Sequence, residues 1–211
     1  MSQTTASGSP ESKGKIGVLI EEHFDQTEYE KFNEYFPTRG YEVEYMSHLW
    51  GNPSLTFTAN PDDGVIRQRA TLTTEINGVD PADYKAIILI GAYAMDRLRY
   101  QEKITPGEPN QAPALQFIRR ALGTKGLWIG TICHSLWLLC ADRALIRGRK
   151  VTCAHNIVCD VENAGGEVVY EGDQTAELVI DGNLISAKHP AVTDRFMQAL
   201  IEQIEQLPVQ P

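Results

Sequence analysis

The fold is decided by the stretch GLWIGTICHS, from Gly126 to Ser135, in which an apolar run ends abruptly at polar residues. Residues 126–132 are mostly apolar and do not alternate, which is typical of a strand that a parallel sheet buries on both faces. A helix is predicted over residues 136–141. Cys133 is therefore expected in a nucleophile elbow, a sharp strand-to-helix turn that presents one side chain at the carboxyl edge of a sheet.

Apolar runs and segments of helical periodicity alternate along most of the chain. This alternation predicts an α/β fold, a three-layer, flavodoxin-like sandwich around a largely parallel central sheet. Asp181-Gly182, between two short apolar segments, predicts a tight hairpin. The predicted strands are residues 15–20, 41–46, 86–91, 126–132, 168–170 and 178–180, and the predicted helices are residues 25–35, 114–122, 136–141, 160–164 and 193–207.

Two segments interrupt the alternation, and one precedes it. Residues 47–83 are irregular, with a small hairpin expected near residues 65–72, and residues 105–113 form a proline-rich loop. Residues 1–13 are polar and rich in Ser, Thr, Gly and Pro, so we expect a disordered tail there. Residues 14–208 are expected to form a single domain, in keeping with the length of the chain.

Composition narrows the class of partner. The 211 residues include 28 Asp and Glu against 19 Lys and Arg, for a formal net charge of −9. Nucleic-acid binding is not expected, because phosphate contacts need a concentrated basic surface. No basic amphipathic segment or long apolar run predicts a membrane contact. No N-terminal stretch has the pattern of a signal peptide, so we expect a cytoplasmic protein with four reduced cysteines.

Cys133 differs from the other three cysteines in its predicted setting. A free cysteine is most often a buried core residue, but the elbow, the adjacent His134 and the small Ser135 favour a function. The helix expected behind Cys133 favours an anion at its N-terminus, which predicts a lowered pKa for the thiol. We therefore expect the protein to bind a small-molecule ligand at this one local site.

The remaining cysteines are interpreted as structural. Cys140 is expected to pack inward from the helix after the elbow. Cys153 and Cys159, with His155, resemble a metal cluster only loosely. No metal and no cofactor are predicted.

The elbow and the motifs after it resemble the DJ-1/PfpI family of the class I glutamine amidotransferase-like superfamily, and its PfpI-like members most. The family elbow has the form [AS]-I-C-H-G, and this chain has Thr131-Ile132-Cys133-His134-Ser135. The resemblance extends over about residues 15–207. The other matching segments are ALIRGRKVT (residues 144–152), ENAG (residues 162–165) and VIDGNLIS (residues 179–186).

The resemblance implies an acidic residue after the first strand that hydrogen-bonds the nucleophilic thiol. Alignment of that strand places Asp25 there, where most members carry Glu. Asp25 is also a suitable N-cap residue for the next helix, and the sequence alone favours neither the capping role nor the catalytic role. Glu21 or Glu22 could substitute if the helix begins early, whereas Glu28 is expected on the helix surface.

His134 is the candidate base. PfpI-like members pair this histidine with a glutamate of a neighbouring subunit, and the matching run at residues 97–103 gives Glu102 that role. Taken alone, Glu102 has the character of a solvated surface charge. The side chains of Cys133 and His134 could also diverge, which would leave His134 an orienting residue. A glutamate acting in trans implies a homodimer or a higher homo-oligomer.

The oxyanion hole is expected to use backbone N–H groups. One is that of His134, and the other lies in the loop Gly91-Ala92, where family members usually have Gly-Gly. Gly91 can supply an unusual backbone angle, and Ala92 can narrow the pocket. Without the resemblance, the same loop is an ordinary strand-ending turn. Tyr93, Trp137 and His155 could line the pocket or fill core.

The resemblance therefore implies a cysteine-dependent enzyme that acts on a small electrophilic substrate by hydrolase, glyoxalase-like or hydratase chemistry, the last being a lyase reaction. A second hypothesis is a redox or stress-response protein in which oxidant converts Cys133 to the sulfinate. A third is a chaperone-like binding protein in which the elbow has no catalytic role.

Overall fold

The apolar runs form strands and the periodic segments form helices over residues 12–206, the part of the chain that the computed structural model describes. The strands are β1 (Gly14–Leu19), β2 (Tyr41–Met46), β3 (Leu55–Thr58), β4 (Arg69–Leu72), β5 (Tyr84–Leu89), β6 (Trp128–Ile132), β7 (Lys150–Val151), β8 (Glu167–Val168), β9 (Tyr170–Glu171), β10 (Gln174–Thr175), β11 (Leu178–Asp181) and β12 (Leu184–Ala187). The helices are α1 (Gln26–Thr38), α2 (Ala94–Arg97), α3 (Pro113–Gly123), α4 (Trp137–Cys140), α5 (Arg143–Ile146), α6 (Val158–Ala164) and α7 (Thr193–Gln206).

A central sheet of six strands has the order β11-β12-β6-β5-β1-β2. Every neighbouring pair in it is parallel except the edge pair of β11 and β12, which forms the hairpin predicted at Asp181-Gly182. The order reverses between β1 and β5, because β2 follows β1 on one side and β5 lies on the other. Ligands of open α/β sheets bind at the carboxyl ends of strands beside such a reversal. The predicted α/β fold with a largely parallel sheet is confirmed.

Helices cover both faces of this sheet. Helices α1 and α7 contact each other on one face, where α7 packs against β5, β6 and β12, and α3 and α4 contact each other on the other. The approach of α7 is close enough to require a glycine in β6, since a Cβ at Gly130 would lie 2.5 Å from Phe196 Cζ. Between residues 12 and 206, no helix is long and apolar enough to cross a bilayer.

The structure differs from the predictions at boundaries and in short elements. The predicted strand 168–170 is replaced by β8 and β9, which belong to separate two-stranded sheets. The hairpin within residues 47–83 pairs β3 with β4, so the prediction near residues 65–72 contains only its second strand. Pro37 lies inside the last turn of α1 and does not end the helix before it.

The predicted tail and the predicted end of the domain fall mostly outside the described residues. Of residues 1–13, Ser12 and Lys13 are described, and the Lys13 N–H donates to the Gly40 carbonyl at 2.8 Å. Its ammonium group donates to Glu205 of α7 at 2.7 Å. Lys13 thus contacts the folded part of the chain, and the bounds of the predicted tail and domain stay predictions.

Candidate active site

The elbow at Cys133 has the strained geometry that the sequence predicts. Cys133 has φ 57°, a left-handed conformation that costs a non-glycine residue about 1–3 kcal/mol. Backbone contacts hold it, because the Cys133 N–H donates to the Ala187 carbonyl at 2.9 Å and the Ala154 N–H donates to the Cys133 carbonyl at 3.2 Å. Ser135 closes the turn, since its Oγ accepts from the Ile132 N–H at 2.7 Å.

The helix behind the elbow is shorter and later than predicted. Residues 133–136 form a turn, and α4 begins at Trp137 and has only four residues. The effect of a helix dipole falls off beyond the first turn, and so short a helix has a small dipole. The expected stabilisation of a thiolate by a helix N-terminus is therefore largely missing.

Cys133 is 7% exposed, and its surroundings shift the pKa of its thiol in opposite directions. Burial raises the pKa of Cys133 well above its ordinary value, and the nearby carboxyl groups of Glu28 and then Asp25 raise it further. The backbone N–H groups of Ala92 and His134 hydrogen-bond the sulfur and lower the pKa, but less. The prediction of a lowered thiol pKa is wrong, because burial beside acidic groups outweighs the amides.

Glu28 is the buried carboxyl beside the thiol. It is fully buried, and its Oε2 accepts the Gly91 N–H at 2.7 Å. A Cβ at Gly91 would lie 2.5 Å from Glu28 Oε1 and 3.0 Å from Cys133 Cβ, so the two side chains meet on either side of this glycine. The expectation that Glu28 lies on the helix surface is wrong.

A signal for the burial of Glu28 is present in the sequence. Glu28, Phe32 and Phe36 are spaced by four residues, and all three are among the buried residues of α1. Side chains four residues apart share one face of a helix. The carboxyl of Glu28 thus continues the apolar face of α1 to its N-terminal end, at the carboxyl edge of the sheet.

Asp25, the predicted acid, occupies the N-cap position of α1. Its Oδ1 accepts the Glu28 N–H at 2.9 Å, and the residue is buried. Of the two roles weighed from the sequence, the cap is present in the structure, because this bond satisfies a backbone donor of the first helical turn. A catalytic role for Asp25 stays a prediction, and Glu28 acts more strongly on the thiol.

The amides near the sulfur come from His134 and from the Gly91-Ala92 loop. Within that loop the Gly91 N–H donates to Glu28 instead. The N–H groups of Ala92 and His134 are the ones that reach the Cys133 sulfur. Ala92 has φ 56°, and a bridge between Phe24 and Ala92 holds this strained turn. An alanine in this loop therefore keeps a donor directed at the site.

The His134 side chain turns toward the sulfur. Its Nδ1 lies 3.6 Å from Cys133 Sγ, so the two neighbouring side chains do not diverge. Its Nε2 lies 2.9 Å from the side-chain oxygen of Asn156, a residue that the sequence analysis did not single out. Burial lowers the pKa of His134, the Asn156 hydrogen bond raises it, and His155 and His189 lower it.

Two aromatic rings confine the imidazole. Trp137 stacks on His134 with ring centroids 5.0 Å apart and planes at 17°. The Tyr93 ring lies 5.9 Å from the imidazole at 13°. The Trp137 N–H donates to Asp160 at 2.9 Å, which fixes the orientation of the indole. The prediction that Tyr93 and Trp137 could line the site agrees with these contacts.

Glu102 does not meet His134 within the chain. Glu102 is exposed, and it lines a cavity of about 360 Å³ together with Trp50 and Lys103. The two nitrogens of His134 face Cys133 and Asn156. A contact between Glu102 and a histidine of another subunit stays a prediction.

A larger cavity, of about 610 Å³, lies next to the loops that follow β1, β2 and β5, where the strand order reverses. Two of its walls are aromatic, with the rings of Trp50 and Tyr100 5.4 Å apart at 63°. Its charged groups are paired, since Arg97 donates to Glu21 at 3.4 Å. The cavity is lined by Glu21, Trp50, Asp96, Arg97, Arg99 and Tyr100.

Two of the other three thiols have surroundings that disfavour the thiolate. Burial raises the pKa of Cys140 to about 11 and that of Cys153 to about 12. Cys159 is exposed. Within residues 12–206, no group of three or more His, Cys, Asp and Glu side chains is placed to hold a metal ion.

Comparison with known proteins gives a match over nearly all of these elements. Residues 14–203 match the sequence model of the DJ-1/PfpI family. An uncharacterized protein of Staphylococcus epidermidis is 25% identical over 192 residues, which are 90% of this chain and 98% of that protein. A Pyrococcus furiosus protein named Deglycase PfpI is 28% identical over 153 residues, which are 71% of this chain and 82% of its own.

Solved structures agree with the fold. A two-domain protein of Anabaena variabilis, with DJ-1/ThiJ/PfpI-like and ferritin-like domains, has a TM-score of 0.75 and 22% identity. The match covers 94% of this chain, which spans 50% of the length of that protein. Drosophila melanogaster DJ-1beta has a TM-score of 0.70 and 14% identity over 92% of this chain and 94% of its own.

Proposed function

Since the chain belongs to the DJ-1/PfpI family, we propose that it is an enzyme in which Cys133 attacks the carbonyl carbon of a small electrophilic substrate. One observation carries the proposal. The Cys133 sulfur lies on a strained elbow with two backbone amides directed at it and His134 Nδ1 3.6 Å away. This arrangement combines a nucleophile, a proton acceptor and donors for a developing negative charge.

The first chemical step follows from these contacts. A thiol whose pKa is raised is protonated at neutral pH, so attack requires a base. As sulfur forms a bond to the carbonyl carbon, its proton passes to His134 Nδ1, and the electron pair of the C=O π bond moves to oxygen. The amides of Ala92 and His134, which now hydrogen-bond the sulfur, lie close to where that oxyanion forms.

Glu28 supports this step from the other side of the sulfur. It holds the Gly91 loop by accepting the Gly91 N–H, and that loop carries the Ala92 amide. The Glu28 carboxyl group also raises the pKa of the Cys133 thiol, so the thiol keeps its proton until His134 accepts it. Glu28 takes the place beside the thiol that the resemblance assigned to Asp25.

The outcome after addition depends on the substrate. Hydrolase, glyoxalase-like and hydratase reactions can share the initial attack by a cysteine, and the deglycase activity named for the Pyrococcus relative is a further candidate of this kind.

An activity screen with matched cysteine variants tests the proposal. The panel contains 2-oxoaldehydes, simple aldehydes, activated esters and short peptides. We expect Cys133→Ser to abolish turnover of any responsive substrate, while Cys159→Ser, which changes an exposed thiol, keeps it. Turnover that persists in Cys133→Ser would overturn the proposal. Selective peroxide oxidation of Cys133 without turnover on the panel would favour oxidant sensing instead.

A further inference from the structure

We infer that Asn156 is a positioning residue that holds His134 in the tautomer able to accept the Cys133 proton. Cys133, His134 and Asn156 would then form a cysteine–histidine–asparagine relay within one chain. The inference rests on the proposed function, since it concerns the same thiol and the same base. It replaces the predicted partner, Glu102 of a neighbouring subunit, with a residue of the same chain.

The hydrogen bond to Asn156 determines which imidazole nitrogen carries the proton. His134 Nε2 lies 2.9 Å from Asn156 Oδ1, and an amide oxygen only accepts hydrogen bonds. In the neutral imidazole, Nε2 is therefore the donor and Nδ1 keeps its lone pair. Because Nδ1 is the nitrogen that faces Cys133 Sγ, at 3.6 Å, this tautomer is the one that can take the thiol proton.

The loop that carries Asn156 is tied to the elbow. The Ala154 N–H donates to the Cys133 carbonyl at 3.2 Å, and the Ile157 N–H donates to the Ala154 carbonyl at 3.1 Å. Thr175 Oγ1 donates to the carbonyl of the buried Cys153 at 3.0 Å. Asn156 lies in the single 3₁₀ turn His155–Ile157 between these anchors, so its position relative to His134 is set by backbone contacts.

Other groups around the imidazole do not replace Asn156 as its partner. His155 and His189 act on His134 through charge and lower its pKa, and the Tyr93 and Trp137 rings stack beside it. The charged groups near Trp137 contact its indole rather than His134. Asp160 accepts the indole N–H, and Arg99 lies over the ring at 5.8 Å.

An amide partner suits a base better than a carboxylate would here. A carboxylate on Nε2 stabilises the imidazolium by its charge and raises the pKa of the histidine. The neutral Asn156 raises the pKa of His134 through a hydrogen bond alone, and burial still outweighs that effect. His134 thus stays neutral near neutral pH, which a group that must accept a proton requires.

The rate at which iodoacetamide alkylates Cys133, followed by peptide mass spectrometry across a range of pH, tests the relay without a known substrate. In this reaction sulfur forms a bond to carbon, iodide leaves, and the thiol proton passes to His134. Peptide-level detection separates Cys133 from Cys140, Cys153 and Cys159.

Two variants of Asn156 are expected to change the alkylation rate in different ways. Asn156→Leu removes the acceptor and should slow alkylation about fivefold at neutral pH, the effect of one hydrogen bond. Asn156→Asp keeps an acceptor and adds charge, so it should keep the rate above neutral pH and move the loss of rate in acid to higher pH. Asn33→Leu, which changes an asparagine on the exposed surface of α1, should have the wild-type profile.

A structural role alone predicts a different result. If Asn156 only supported the loop, the Asp and Leu variants would lose rate together and their thermal unfolding would change, with no shift of the acid limb. Nitrogen-15 NMR of histidine-labelled protein adds a direct readout, because the relay requires the Nε2–H tautomer of His134. An Nδ1–H tautomer, or the same pH profile in all variants, would overturn the inference.

Failure of the relay and failure of the proposed enzyme are distinguishable. If alkylation depends on Asn156 but turnover does not depend on Cys133, the relay stands and the proposed function fails. If turnover depends on Cys133 but the pH profile of alkylation is the same in the Asn156 variants, the proposed function is supported and the relay is wrong.

Discussion

Two neighbouring regions at the carboxyl edge of the sheet are built in different ways. At the elbow, strained backbone at Cys133 and Ala92 is held by backbone contacts to Ala187, Ala154 and Phe24, and Cys133 is 7% exposed. In the 610 Å³ cavity, side chains form the walls, and Trp50 and Tyr100 are 40% and 61% exposed. The elbow is suited to hold atoms in place for a reaction, while the cavity is suited to contact a ligand through exposed rings.

The two regions also have different origins in the chain. The elbow is made from the segments that follow β5 and β6 of the central sheet. Trp50 comes from the excursion at residues 47–83, and Tyr100 from the segment after α2. Changes at the elbow should therefore affect stability and chemistry together, whereas changes in the cavity should affect recognition alone. The predictions below test this contrast.

The largest effect is expected from Glu28→Ala. The change leaves the buried Gly91 N–H without its acceptor, which costs about 1–3 kcal/mol of unfolding free energy. Urea denaturation measures this loss, and we expect faster alkylation of Cys133 as well, because Glu28 raises the pKa of the thiol more than the Ala92 amide lowers it. Glu34→Ala, at an exposed position of the same helix, is the control and should change stability little. Equal stability of the two variants would contradict the role given to Glu28.

A smaller and more selective effect is expected from Trp50→Ala. Its ring is a wall of the cavity and is partly exposed, so unfolding free energy should change by less than about 0.5 kcal/mol. If substrates extend into the cavity, KM should rise about tenfold with little change in kcat, because loss of uniform binding affects KM alone. Steady-state kinetics on a substrate found in the screen measure both. A fall in kcat with unchanged KM would contradict the assignment of recognition to the cavity and chemistry to the elbow.

The smallest effect is a pH dependence of stability that arises from His134. Burial lowers the pKa of His134 below its ordinary value of 6.5, so the unfolded chain binds a proton that the folded chain does not. Where the unfolded state binds more protons, unfolding free energy rises with pH. The contribution of His134 is therefore complete above the unfolded pKa and is lost as pH falls below about 6.5. Urea denaturation of wild type and His134→Gln over this range should show a weaker dependence in the variant.

Much of the fold could be predicted because its signals are local. The apolar run before Cys133, the alternating segment of β2 and the turn at Asp181-Gly182 each specify an element within a few residues. The hairpin of residues 47–83 was only partly found, because β3 and β4 pair across a long loop and turn signals near residue 65 do not identify the distant first strand.

The sequence predicts the part of the site that lies in one local motif. It does not predict the contacts that form between distant segments of the chain. The elbow placed Cys133 and His134 correctly beside each other, since they are neighbours in one turn. Alignment with the family gives Asp25 the role of the acid, and that role stays a prediction. Asp25 caps α1, and Glu28, one helical turn later, also lies beside the thiol. The spacing of Glu28 from Phe32 and Phe36 was an available signal that the cap position obscured.

The sequence by itself determined the α/β class and the elbow at Cys133, because periodicity and a strand-to-helix turn act over a few residues. Tertiary structure alone decided what surrounds the sulfur. Glu28, Ala92 and Asn156 come from three separate segments: the first turn of α1, the turn after β5 and the 3₁₀ turn His155–Ile157. The fold brings these segments together beside the elbow. Burial and hydrogen bonding there set the pKa of the thiol and the partner of His134, and both depend on distances that no local pattern contains.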